Sequence, residues 1–285
     1  MTHRRAQRDS GRTVESTLIS PAVALGDYTE NSFIFAGKTR RVFRRGTGPA
    51  VIVIAEVPGI TPEVVAFADR VHELGCTAVL PHLFGVPGEP ASGRNSAQVA
   101  AWCCVSREFA TWAAGRTSPI TEWLRALGRH ELARCGGPGI GAVGMCMTGG
   151  FALAMMVDDS VLAPVLSQPA LPFPISKRRR RDLGISAADL RVVKQRASDG
   201  VDVLGLRFSG DIACPPERFA RLRQELGDAF VGVEIDSSPA NSHGIRERAH
   251  SVLTDDFVDE AGHPTRDALD RVLGFLRARL LAPAA

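Results

Sequence analysis

The sequence predicts an α/β protein, a mostly parallel twisted sheet with helices on both faces. Three observations carry that expectation. Short unbroken apolar runs recur along the chain, among them PAVIVIAE (49–56), CTAVLP (76–81) and IGAVGM (140–145). Strands that read this way are buried on both faces, as parallel sheets require. Segments with apolar residues at helical spacing lie between these runs, so strand and helix alternate as βαβ units. The 45% hydrophobic content of the 285 residues is enough to bury a core of that kind.

The elements follow in order. TRRVFRRG (39–46) reads as an exposed strand and PAVIVIAE as a buried one ending on an acid. Thr61 caps a helix that carries Val64, Val65, Phe67, Ala68 and Val71 on one face. CTAVLP is the next buried strand, and residues 82–96, rich in Gly, Pro and Ser, are a long loop. Helical patterns occupy 97–114 and 118–134; Ile120, Trp123, Leu124 and Leu127 share a face of the second. IGAVGM is a strand, GGFALAMMV (149–157) a helix and VLAPVL (161–166) a strand. A polar, Pro-containing stretch with KRRRR (177–181) follows, with a helix near 186–197. VDVLGLRF (201–208) and FVGVEID (230–236) are further strands, and TRDALDRVLGFLRARL (265–280) closes the chain as an amphipathic helix. No repeat is visible. The expected organisation is a disordered tail over 1–30 and one domain over 31–285, with an insertion-like segment around 167–200.

Composition narrows the function classes. A net charge of +3 is small for this length and gives no global field for nucleic acid. The KRRRR run has no interleaved aromatics for base stacking and reads as a solvated loop. No apolar run approaches the roughly 18–20 residues of a membrane span, and the basic N-terminus lacks the apolar core of a secretory signal. The six cysteines, at 76, 103, 104, 135, 146 and 214, are not spaced as metal ligands, and a chain this large needs no disulfide staples. The expectation is a cytoplasmic, reduced protein with no metal, no cofactor, no nucleic acid and no membrane partner. The sequence carries no signal of oligomeric state.

GAVGMCMTGG (141–150) decides the functional reading. Its glycines match a dinucleotide fingerprint, but that pattern must follow a strand and open a helix, whereas here the strand lies inside it. A sharp turn that exposes Cys146 fits the order better. A nucleophile elbow needs small residues on either side of the nucleophile because strand and helix cross closely there. A plain buried cysteine is the competing reading of that residue. Asp211 follows VDVLGLRF in Ser209-Gly210-Asp211, and His243 follows FVGVEID in Asn241-Ser242-His243. Each stands on a loop just past a strand end, where open α/β sheets bind ligands. The chain order Cys146, Asp211, His243 is the nucleophile, acid, histidine order of α/β-hydrolases. His250, in AHSVLT, competes for the histidine role; His243 is preferred because it lies closer to the strand end.

On these residues the chain resembles the dienelactone hydrolases, a cysteine branch of the α/β-hydrolase fold, over about residues 35–280. The family's G-x-C-x-G-G elbow is matched by GMCMTGG, and its glutamate at the end of an early strand by Glu56 in VIVIAEVPG. The resemblance implies that Glu56 holds the resting thiol and takes its proton when substrate arrives. It also implies arginines for a substrate carboxylate. One should stand four residues after the histidine, where this chain has Glu247, with Arg246 next to it; Arg94 in the long loop is the other candidate. Thr148 replaces the family's usual glycine. The pocket tyrosines are missing, since Tyr28 is the chain's one tyrosine, and LSQPAL (166–171) lies where an aromatic is usual.

The expected chemistry follows from the residue types. A free thiol titrates near about 8.5, so Cys146 needs its neighbours to ionise it. His243 would accept the proton, with Asp211 orienting the ring. The backbone N–H groups of Val57 and Met147 are the expected oxyanion-hole donors. Thiolate leaves more readily than alkoxide, so the leaving group must be stabilised, as in an enol-lactone or aryl ester. The expectation is a hydrolase of small lactones or activated esters acting through a thioester acyl-enzyme. The alternatives are a thioesterase or other carboxylesterase on the same fold, and a catalytically inactive binding protein.

Overall fold

The computed structural model describes residues 25–109 and 113–281. Its centre is an eight-stranded sheet: β1 (Thr29–Phe35), β2 (Lys38–Arg45), β3 (Ala50–Ile54), β4 (Thr77–Pro81), β5 (Ile140–Met145), β6 (Val161–Ser167), β7 (Val203–Phe208) and β8 (Phe230–Ile235). The spatial order is β1-β2-β4-β3-β5-β6-β7-β8. β1 and β2, and β2 and β4, pair antiparallel; every later pair is parallel. This is the α/β-hydrolase arrangement, and β3, β5 and β6 stand at its middle.

Alternation along the central strands sorts the two cores. In β3, Ile52 and Ile54 face a layer that holds Leu124, Phe151, Val193 and Phe219, while Val51 and Val53 face Val64, Val71, Leu269 and Val272. The first layer contains α2 (Gly93–Val105), α3 (Ile120–Cys135), α4 (Gly149–Met155), α5 (Ala187–Ser198) and α6 (Pro216–Leu226); the second contains α1 (Pro62–Glu73) and α7 (Pro264–Leu280). Helices on both faces explain the unbroken apolar reading of the strands. Thr61 caps α1, its hydroxyl accepting from Val64 N–H at 3.4 Å.

Three segments differ from the sequence expectation. β1 begins inside the stretch read as tail; it is an edge strand, exposed at most positions, so no apolar run announces it. Residues 1–24, the rest of that tail, lie outside the described residues. α2 starts at Gly93, inside the expected loop, because Ser92 and Asn95 cap each other reciprocally, at 2.8 and 3.2 Å. It stops at Val105, and Ser106 turns extended; Trp112, expected on that helix, lies outside the described residues. Within 167–200, the basic run read as a solvated loop holds a four-residue helix, Lys177–Arg180, while the helix expected near 186–197 is present as α5, between β6 and β7. No helix among the described residues is long and apolar enough to cross a membrane.

Candidate active site

β5 delivers Cys146. The residue sits at φ +52°, in the left-handed region, between β5 and a single helical turn, Cys146–Thr148, that runs into α4. A non-glycine residue held there costs of order 1–3 kcal/mol and persists only where its surroundings enforce it. Close packing enforces it here. A Cβ on Gly144 would stand 2.3 Å from the Thr148 carbonyl oxygen, and one on Gly149 would stand 2.6 Å from Pro169 Cα. Thr148 suits the turn although the resemblance favours glycine there. Its buried hydroxyl accepts from Met145 N–H at 3.0 Å and lies 2.8 Å from the Ile54 carbonyl, so it ties the elbow to the end of β3.

None of the six cysteines forms a disulfide. Burial pushes Cys76 up to about 11 and Cys103 and Cys214 up to about 12, which makes them poor nucleophiles near neutrality. Cys146 is partly exposed, at the C-terminal edge of the sheet.

β7 delivers Asp211. Its Oδ1 accepts from the N–H groups of Ala213 and Cys214, at 2.8 and 3.1 Å, which leaves Oδ2 aimed at a histidine 2.7 Å away. That histidine is His250, through its Nδ1, so the structure corrects the preference for His243. His243 is exposed. Its backbone N–H bonds to Asn241 and its ring packs edge-on against His263, with ring centroids 5.5 Å apart. The chain leaves β8 at Ile235, runs over the surface through His243, and returns to the sheet edge only at Ala249. Nearness along the chain to the strand end was therefore the wrong criterion. The better signal was burial: Ala249, Val252 and Leu253 flank His250 and must pack inward, whereas PANSHGIRER around His243 has almost nothing to bury.

Arg246 likewise does not join the site. It pairs with Asp256 at 2.7 Å, and Asp256 Oδ2 accepts from the N–H groups of His250 and Ser251, so this pair braces the histidine loop from outside. Arg94 is exposed on the first turn of α2 and is not part of the cluster. Arg180 and Arg181 of the basic run reach Glu217 and Gln224 on α6.

Glu56, at the end of β3, is 5% exposed. One carboxylate oxygen accepts from Ser251 Oγ at 2.9 Å and Gln168 Nε2 at 3.2 Å, and the other from the Thr254 hydroxyl. Sequence reasoning did not find these three partners. Ser251 and Thr254 sit one and four residues after His250, so the misplaced histidine hid them. Gln168, in LSQPAL, is fully buried at φ +34°, just past the end of β6. Ligand atoms of Glu56, Cys146 and His250 all lie within 4.8 Å of one another. Val57 follows Glu56, and its N–H makes no hydrogen bond among the described residues. Met147 follows Cys146 at the start of the helical turn.

The electrostatics of the cluster oppose one another. Burial alone would lower the His250 pKa, but the charges of Cys146 and Asp211 and the hydrogen bonds to them outweigh it and hold the ring well above the ordinary histidine value. Burial raises the Glu56 carboxyl above the usual carboxylate range, against the hydroxyls of Thr254 and Ser251 and the charge on His250. A sulfur beside a ring that keeps its proton, with a carboxyl that resists ionisation nearby, is an arrangement for nucleophilic attack and proton transfer.

The dienelactone hydrolase family model matches residues 39–280. No curated protein matches by sequence. Among solved structures, the chain is similar to a Klebsiella pneumoniae subsp. pneumoniae MGH 78578 protein provisionally described as a dienelactone hydrolase: 17% identity, 87% of this chain and 97% of that one covered, TM-score 0.58. It is also similar to a dienelactone hydrolase-like promiscuous phosphotriesterase from metagenomic libraries, with 14% identity, 89% and 98% coverage and a TM-score of 0.56. A 2,6-dihydroxy-pseudo-oxynicotine hydrolase gives 16% identity, 90% and 70% coverage and a TM-score of 0.55. At these identities the structural likenesses speak for the fold.

Proposed function

We propose that this chain, which belongs to the dienelactone hydrolase family, hydrolyses a small lactone or activated ester by covalent catalysis at Cys146. The observation that carries the reading is the continuous relay at the sheet edge. Cys146 is held at a left-handed elbow, its sulfur lies within 4.8 Å of a His250 ring nitrogen, and Asp211 holds His250 Nδ1 at 2.7 Å.

In this mechanism the Cys146 sulfur attacks the carbonyl carbon while His250, through Nε2, holds the proton taken from the thiol. Asp211 fixes the ring and stabilises its charged form. The N–H groups of Val57 and Met147 receive the developing oxyanion. The alcohol or enolate leaves with a proton from His250, and water activated by the same ring then releases the acid from the thioester. Glu56 supplies a second proton position. Its buried carboxyl is the form that the site favours, so it can carry the thiol proton without setting a second negative charge beside sulfur. Sulfur favours esters whose leaving group is stabilised, such as enol-lactones and aryl esters.

The test is p-nitrophenyl acetate turnover with mass spectrometry of the quenched protein. The reading expects a burst, an acetyl adduct on Cys146 and an inert Cys146→Ala. Equal, slow rates in both proteins on this ester and on a lactone panel would sink it and favour a binding protein on a hydrolase fold.

A further inference from the structure

We propose that Glu56, Cys146 and His250 form a binding site for one thiophilic divalent cation, zinc foremost, that reversibly blocks the nucleophile. The ligand atoms already converge, all within 4.8 Å of one another, the one such group of three among the described residues. Around zinc, sulfur at about 2.3 Å and nitrogen or oxygen at about 2.0–2.2 Å stand roughly 3.3–3.7 Å apart in a tetrahedron. Closing the site therefore shortens these separations by at most about 1.5 Å, a change within reach of side-chain rotation.

The outer contacts are those of a built site. Metal-ligating histidines characteristically donate their second ring nitrogen to a carboxylate, which fixes the tautomer and orients the ring. Asp211 Oδ2 does this at His250 Nδ1, 2.7 Å away, and leaves Nε2 for the ion. Glu56 is oriented by Ser251 Oγ at 2.9 Å, Gln168 Nε2 at 3.2 Å and the Thr254 hydroxyl. Donor chemistry selects the metal: one thiolate, one imidazole and one carboxylate suit zinc, whereas magnesium and calcium take oxygen sets. Glu56 is buried while Cys146 and His250 are partly exposed, so the cluster is open to solvent on the Cys146–His250 side.

Binding is a ligand exchange without redox change. The sulfur, the imidazole and the carboxylate bind in their deprotonated forms, so the protons held on the Cys146–His250 pair and on Glu56 pass to solvent, and the sulfur lone pair that would attack a carbonyl is donated to the metal. Acyl-enzyme formation stops until a chelator removes the ion.

The experiment titrates metal-free protein with zinc by calorimetry and with cadmium in the ultraviolet, where a sulfur-to-metal charge-transfer band reports thiolate coordination. One equivalent of zinc is expected, bound at micromolar concentration or tighter, with ester turnover lost in step with occupancy and restored by EDTA. Cys146→Ser abolishes the cadmium band, Cys104→Ser leaves it, and Asp211→Asn weakens zinc binding by about 10–100-fold. Thermal unfolding of each variant reports that it is folded. The proposal is overturned by a cadmium band that survives in Cys146→Ser, by no zinc uptake at micromolar concentrations, or by zinc-loaded protein that turns over as fast as metal-free protein. Because the binding readouts do not use the ester, they stand whether or not the proposed activity is found.

Discussion

His243 and His250 occupy the same loop, yet only one of them reaches the sheet edge. His250→Ala is expected to lower kcat/KM for p-nitrophenyl acetate by about 10²–10⁴-fold, and His243→Ala to leave it within about twofold; a steady-state comparison of the two variants decides. A second expectation concerns Glu56. Burial raises its folded pKa, so its contribution to stability is fully present below its unfolded value and is lost as pH rises through the folded one. Wild type should therefore lose stability relative to Glu56→Gln as pH rises above the ordinary carboxylate range, as read by urea unfolding across a pH series. A gap that does not change with pH would count against a carboxyl that resists ionisation. At this scale the sequence made Cys146, Asp211 and Glu56 legible, because each stands directly at a strand end. It misplaced the histidine and hid Gln168, Ser251 and Thr254, because their positions depend on a surface excursion whose path no local pattern encodes.

The elbow shows how one element holds a strained residue. Thr148 accepts from Met145 N–H and bonds towards β3, so Thr148→Val leaves a buried N–H without its partner. The cost should be about 1–3 kcal/mol, with a fall in turnover because the φ of Cys146 is no longer enforced; denaturant unfolding and burst amplitude measure the two effects. The segment after β6 has its own anchor. The buried Arg218 guanidinium on α6 donates to the carbonyls of Pro169 (a short contact), Pro172 at 2.7 Å, Asp182 at 2.9 Å and Arg179 at 3.1 Å. Ala170, next to Pro169, donates its N–H to the Cys146 carbonyl at 2.8 Å, so that segment and the elbow are one packed unit. Central elements were legible because burial on both faces writes a continuous apolar run. β1 was not, since an exposed edge strand has no such run, and the start of α2 was masked by Gly, Asn and Ser, which serve caps and loops alike.

Across the whole molecule, the antiparallel side of the sheet is fastened by a buried ion pair. Arg44 on β2 reaches Glu131 on α3 through Nη2 at 2.5 Å and Nε at 2.9 Å, and Arg134 adds a third contact at 3.0 Å. Burial works to raise the Glu131 carboxyl, but Arg44 and Arg134 outweigh it and hold it below the usual range. Its stabilisation is thus complete above the unfolded pKa and drains away as pH falls through the folded one. Glu131→Ala should cost about 3–5 kcal/mol near neutrality, because it leaves a buried guanidinium unpaired. The gap to wild type should narrow in acid, as followed by circular dichroism in a pH series of urea melts.

The contacts of Glu56 span the chain: Ser251 and Thr254 meet it across 195 and 198 residues. β3, β5, β7 and the last loop must all be in place before Glu56, Cys146, Asp211 and His250 come together. On the proposed function, reactivity at Cys146 would therefore be a certificate of completed folding. A nascent or half-folded chain carries the same thiol without those neighbours, so the proposed nucleophile would be armed only on finished molecules.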